Sequence, residues 1–155
     1  MNVLDIMTAN PVTIRLDKSL REALELMEQH NCKHLPVMSA QGHLIGVISD
    51  RDCRHALNSP FVVRERWQDE SLVTKLEVRQ VMSPAPIIVE PDAPASEAAR
   101  LMLTHKIGCL PVMRSETLVG IITRSDVLAA FMNIHRRYET IVNGGPSTHL
   151  SGFQR

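Results

Sequence analysis

The chain reads as a mixed α/β (α+β) fold in which two β-α-β-β-α units form one pseudo-symmetric pair. Three observations predict it. Residues 3–52 recur as residues 78–126, with one residue fewer in the second copy near Glu116 and Thr117. The hydrophobic period switches between strand-like and helix-like in the same order in both copies. A total of 155 residues also leaves each copy too short to bury a stable core alone, so the copies must pack together. The identities that hold the register include Met7/Met82, Pro11/Pro86, Asp17/Asp92, Glu22/Glu97, Ala23/Ala98, Met27/Met102 and His30/His105. They continue with LPVM at 35–38 and 110–113, Gly46/Gly120 and Asp52/Asp126. Two copies, and not a longer array, favour a pair over a solenoid.

Each copy opens on a short β-branched run behind a proline, PVTI at 11–14 and PIIV at 86–89, which suits a brief strand. Ser19 and Glu22 then have capping-box spacing, and Leu20, Ala23, Leu24 and Met27 fall on one helical face. The second copy repeats this helix with Ala95, Ala98, Ala99 and Met102 behind Pro94, a residue that a helix's first turn tolerates. Two strands follow, 34–38 and 44–49 around a turn at Gln41-Gly42, matched by 109–113 and 118–123. A closing helix ends each copy, near 51–57 and 125–135. The first unit is therefore 1–60, the second 78–138, and 61–77 is a connector. The charged stretch 58–75 has the makings of a helix around 68–76. Residues 139–155 read as a mobile tail, because from Asn143 the composition NGGPSTHLSGFQR has too little apolar content to pack.

Composition narrows the function by exclusion. Lys+Arg 17 balances Asp+Glu 17, and the balance holds within each half, so a basic nucleic-acid-binding face is excluded. Phe61, Trp67, Phe131, Tyr138 and Phe153 are too scattered to make a base-stacking platform. No stretch of about 18 apolar residues exists, and MNVLDIMTANPV lacks the order of a signal peptide. A cytoplasmic protein with no membrane insertion is expected. Cys32, Cys53 and Cys109 are odd in number and form no CxxC pair, so they read as reduced thiols. His30 and His34 are four residues apart, but a strand begins near His34, so they share no helix face and no metal site is assigned. Walker, GxSxG and HExxH patterns are missing, as is any acid/base or nucleophile set. The chain is not expected to be an enzyme.

The strongest chemical signal lies at two strand-to-helix junctions, Gly46-Val-Ile-Ser-Asp-Arg-Asp52 and Gly120-Ile-Ile-Thr-Arg-Ser-Asp126. Free backbone N–H groups and the positive end of a helix dipole attract an anion there. Ser49 or Thr123 adds a hydroxyl donor, and Asp52 or Asp126 can accept from a ribose cis-diol. Phosphate plus ribose means a nucleotide. The same spacing is also a capping box whose ends satisfy each other, so helix capping is an equally good reading of the spacing alone.

With its Met…Pro opening, its LPV strand and its G-h-h-[ST]-x-x-D close, the repeat resembles a tandem pair of cystathionine β-synthase (CBS) domains, a Bateman module, from residue 3 to about 134. The resemblance implies sheets packed about a pseudo-twofold axis and two clefts that in many members hold AMP, ADP, ATP or related adenosyl ligands. One cleft would combine Ser49, Arg51 and Asp52 with Ile87, Ile88, Ile107, Gly108, Cys109 and Pro111. The other would combine Thr123, Ser125 and Asp126 with Val12, Thr13, Cys32, Lys33, His34 and Pro36. The second is expected to be the better nucleotide site, with two hydroxyls beside its carboxylate and Lys33 as a nearby cation. No cofactor is required, and Mg2+ enters only with a bound polyphosphate. The expected protein is a homodimeric regulatory module that senses an adenosine nucleotide and signals to an unknown protein partner. The alternative is a dimerisation scaffold whose Ser/Thr-x-x-Asp motifs only cap helices.

Overall fold

A computed structural model describes residues 1–57 and 66–142 of the chain. In the first copy, the Ser19 hydroxyl accepts from the Glu22 amide at 3.2 Å and the Glu22 carboxylate accepts from the Ser19 amide at 2.8 Å. This capping box starts helix α1 (Leu20–Gln29), whose Leu20, Ala23 and Met27 are buried. The helix stops where Asn31 turns to a positive φ of 49°, a conformation that asparagine tolerates better than most residues. Strands β3 (His34–Met38) and β4 (Leu44–Ser49) then pair antiparallel, with His34 opposite Ser49 and Val37 opposite Gly46. Helix α2 (Asp50–Leu57) follows directly.

The second copy repeats the plan with α5 (Ala95–His105), β6 (Cys109–Arg114), β7 (Thr117–Thr123) and α6 (Arg124–Val142). Cys109 stands opposite Thr123 and Val112 opposite Gly120, with the register shift at the same place as in the first copy. The opening strands are shorter than the sequence suggests. In the first copy only β2 (Ile14–Arg15) forms, parallel to β3. In the second, only Val89 bridges to Val112. The cause is Pro91. Its counterpart Leu16 donates its amide to the Met38 carbonyl at 3.2 Å, and a proline has no N–H with which to extend the ladder.

The sequence does not anticipate where the lead-in segments go. Strand β1 (Thr8–Ala9) pairs with β7 of the second copy, and β5 (Ser83–Pro84) pairs with β4 of the first. The sheets are therefore β2-β3-β4-β5 and β1-β7-β6. A 3-10 turn at Val3–Asp5 docks on the second copy, where the Val3 and Leu4 amides donate to Ala93 and Pro91 carbonyls, both at 2.9 Å. Helix α4 (Val78–Val81) docks reciprocally on the first, through Val78 to Lys18 at 2.8 Å and Arg79 to Leu16 at 3.0 Å. Val3 is accordingly buried with Val89, Met102, Leu110 and Ile122, and Val78 with Ile14, Leu20, Leu35 and Ile48.

The connector contributes α3 (Arg66–Lys75), close to the helix expected around 68–76, and its Val73 joins the first core. Helix α6 runs on to Val142, so residues 139–142 of the segment read as tail are helical; 143–155 lie outside the described residues. Only Ala130 of α6 is buried, and Leu128, Phe131, Tyr138 and Ile141 are exposed. Between the two sheets, Val47, Cys109 and Ile121 form a small shared cluster.

The exchange explains the repeated glycines. A Cβ at Gly46 would lie 2.6 Å from the Met82 sulfur and 2.9 Å from the Ser83 carbonyl oxygen. At Gly120 it would meet Met7 side-chain atoms, including Cγ and Cε at 3.1 Å. Flexible methionine ends can move and a backbone carbonyl cannot. Gly46→Ala is expected to cost about 1–3 kcal/mol of unfolding free energy as an overpacking change, and Gly120→Ala less, both read by urea titration. Equal costs would contradict this account.

Candidate functional site

The two Ser/Thr-x-x-Asp junctions sit where β4 passes into α2 and where β7 passes into α6. In the first, the Ser49 amide donates to Asp52 Oδ2 at 2.8 Å and the Asp52 amide donates to Ser49 Oγ at 3.0 Å. In the second, the Thr123 amide and hydroxyl both donate to Asp126 Oδ2, at 2.7 and 2.8 Å, and the Asp126 amide reaches Thr123 Oγ1 at 3.4 Å. Both aspartates thus point back to their own helix start and act as caps. Each does so through one oxygen, and Oδ1 of either carboxylate has no hydrogen-bond partner among the described residues. Capping and acceptance from an outside hydroxyl therefore use different lone pairs.

The first helical amides are also committed. Asp50 donates to the Lys33 carbonyl at 3.0 Å, and Arg124 donates to the Gly108 carbonyl at 3.1 Å. The next amides, of Arg51 and Ser125, belong to the first turn of their helices, where an amide has no partner within the helix and is suited to an anion.

Several residues named for the clefts meet across the copies. The His34 ring lies against Gly108, where a Cβ would come within 3.0 Å of Nε2. Burial lowers the proton affinity of His34 most, Asp52 and Asp50 raise it, and Arg124 and Lys33 lower it. Cys109 is buried and its thiol is pushed up to about 12, by burial first and by the charge of Asp52 second. The structure thus sets Cys109 near Asp52, and His34 near Arg124 and Gly108. Cys53 is likewise pushed up to about 11, chiefly by burial, so neither thiol is a poised nucleophile.

Other residues are placed differently. Pro36 and Pro111 are fully buried and offer no surface to a ligand. Val12 packs on the first core and Ile87 on the second. Thr13, Lys33, Arg51, Ile88 and Ser125 are exposed. One hollow of about 360 Å³ is lined by Asn10, Pro11, Thr13, Met38, Gly42 and Glu116–Leu118, and another of about 410 Å³ lies along Thr13, Lys18, Glu22 and Gln29. Thr13 borders both, and neither lining includes Asp52 or Asp126. His30 follows α1 as its C-cap while His34 opens β3. The described residues contain no group of three or more His, Cys, Asp or Glu arranged to hold a metal ion, and no helix long and apolar enough to cross a membrane. The guanidinium of Arg124 donates from Nε to the Ile107 carbonyl at 3.1 Å, and Arg124 stands where the first copy has Asp50.

A family model of the CBS domain matches the chain twice, over residues 3–59 and 78–133. The chain belongs to the CBS-domain family. As a tandem CBS pair it is 35% identical over 133 residues to a CBS domain-containing protein of Dictyostelium discoideum, covering 85% of this chain and 92% of that one. It is also similar to the crystal structure of Arabidopsis thaliana CBSX2 in complex with AMP, at 33% identity and a TM-score of 0.69 over 87% of this chain and 98% of that one. A third likeness is to the CBS domain pair of MJ0100 in complex with 5′-methylthioadenosine and S-adenosyl-L-methionine. That match has 27% identity and a TM-score of 0.74, covering 86% of this chain and 98% of the other. The α+β arrangement described above is thus a Bateman module.

His34 binds its proton less tightly in the folded CBS pair than its ordinary value of 6.5 implies. The unfolded chain therefore takes up the proton first, and this residue's contribution to stability, complete above pH 6.5, falls as the pH drops below it. An NMR titration of the His34 ring should give a midpoint below 6.5. The drop in unfolding free energy between pH 7 and pH 5.5 should be smaller in His34→Gln. A midpoint at or above 6.5 contradicts the assignment.

Proposed function

We propose that this CBS pair is a regulatory module that binds an adenosine nucleotide, AMP, ADP, ATP or a related adenosyl ligand, between its two copies and passes occupancy to a partner protein. The observation that carries this reading is the likeness to CBSX2 in complex with AMP, and the MJ0100 pair with its adenosyl ligands supports it. In this reading Asp126 Oδ1 accepts from the ribose hydroxyls, Ser125 donates to phosphate, Thr123 turns its hydroxyl from Asp126 Oδ2 to the phosphate as the ligand enters, and Lys33 adds charge. Val12, Thr13 and His34 border the base. Ser49, Arg51 and Asp52 form the other cleft opposite Ile87, Ile88 and Cys109. Binding needs no cofactor, and Mg2+ accompanies only a polyphosphate. Occupancy acts by favouring one arrangement of the copies over another.

In this reading the module is a binder and not an enzyme, which its likeness to CBS domain-containing proteins supports. Its three cysteines are free thiols, which suits a reducing compartment such as the cytoplasm. The exposed apolar side chains of α6 support a homodimer. A second reading is a scaffold with unused clefts, favoured by the closed capping boxes at Asp52 and Asp126.

Isothermal titration separates the two readings. AMP is expected to release heat and raise the melting temperature, by an increment that grows with the ratio of ligand to Kd. Asp126→Ala should weaken AMP binding at least about tenfold, the worth of losing hydrogen bonds to a charged group. A chain in which AMP, ADP, ATP and S-adenosylmethionine all leave heat and melting temperature unchanged is the scaffold.

A further inference from the structure

The two copies use one backbone frame with opposite charge. Asp50 and Arg124 hold matching places, since each is the first residue of its helix and each donates its amide to the matching carbonyl, Lys33 or Gly108. In the first copy the helix start carries Asp50 and Asp52 against Arg51. Arg54 pairs with Asp50 at 2.9 Å, but its side chain is 70% exposed and sits a full turn further along the helix, so it offsets little of the field at the N-terminus. In the second copy the helix start carries Arg124 against Asp126. A phosphate at the first junction lies beside two carboxylates and one arginine. At the second it lies beside one arginine and one carboxylate, so the exchange of Asp50 for Arg124 makes the second junction the less negative of the two.

Building on the reading that both clefts bind adenosyl ligands, we infer that they differ in ligand class. The Thr123/Asp126 cleft takes a 5′-phosphorylated nucleoside, and the Ser49/Asp52 cleft takes an adenosyl ligand whose 5′ substituent carries no negative charge. Asp50 and Arg124 are the residues that set the difference.

Titration of the full chain with AMP and with 5′-methylthioadenosine tests this. AMP should bind at one site per chain, with affinity that falls as salt rises, and Asp126→Ala should remove that site while Asp52→Ala leaves it. Methylthioadenosine should lose a site in Asp52→Ala. Asp50→Arg should create a second AMP site, and Asp50→Asn, which cannot add a cation, should raise AMP affinity at the first cleft at least about threefold by removing one repulsive charge. Melting temperatures of the variants without ligand show that each is folded. Two AMP sites of equal affinity in the wild type, or loss of AMP binding in Asp52→Ala alone, overturn this inference and leave the adenosyl-binding reading standing. A chain that binds neither compound overturns both.

Discussion

Each half of this molecule is finished by chain from the other half. The turn at Val3–Asp5 and strand β1 close the second sheet and core, and α4 with β5 close the first. Everything else follows from that exchange. A unit of roughly fifty residues buries too little surface to fold alone. Val3 and Val78 are each wholly buried among residues of the opposite copy, and burying a side chain of that size contributes about 1.5–3 kcal/mol. The glycines that let Met7 and Met82 lie flat on β7 and β4 are therefore requirements of the exchange as much as of the strands.

The same geometry builds the two strand-to-helix junctions. Because the exchange holds the sheets face to face, His34 of one copy abuts Gly108 of the other, and Cys109 feels the charge of Asp52. The caps at Ser49/Asp52 and Thr123/Asp126 keep the junctions rigid, and each consumes only one carboxylate oxygen. A helix cap and a hydroxyl acceptor can thus be the same residue. That removes the opposition between structural and functional readings that the spacing by itself suggests.

Much of this was legible in the sequence because it rests on local patterns. The capping box at Ser19, the apolar faces at Leu20, Ala23 and Met27, and the paired strands around LPVM each need only their neighbours. The exchange was not legible, because a swap that respects the symmetry of the repeat leaves the pattern of matches unchanged. The loss of the second opening strand was readable in principle, since Pro91 occupies the place of an amide donor. At the site, the Ser/Thr-x-x-Asp pairs could be found by spacing. The burial of Pro36 and Pro111 could not, because it depends on how closely the sheets approach. The opposed charges of Asp50 and Arg124 were visible all along, and took on meaning only when their amides proved to occupy matching places.

The reciprocal lead-ins also bear on how such a chain comes to exist. Two separate copies of a single repeat, each lending its first residues to the other, would make a symmetric dimer by the same contacts. Joining them by a connector turns a concentration-dependent association into an intramolecular one, with an effective concentration on the order of millimolar for a short linker. Once joined, the copies need not stay alike. A homodimer must carry the same residue on both sides of its axis, whereas the tandem chain can place an aspartate at one helix start and an arginine at the other. Covalent linkage thus frees a symmetric architecture to hold two different chemistries.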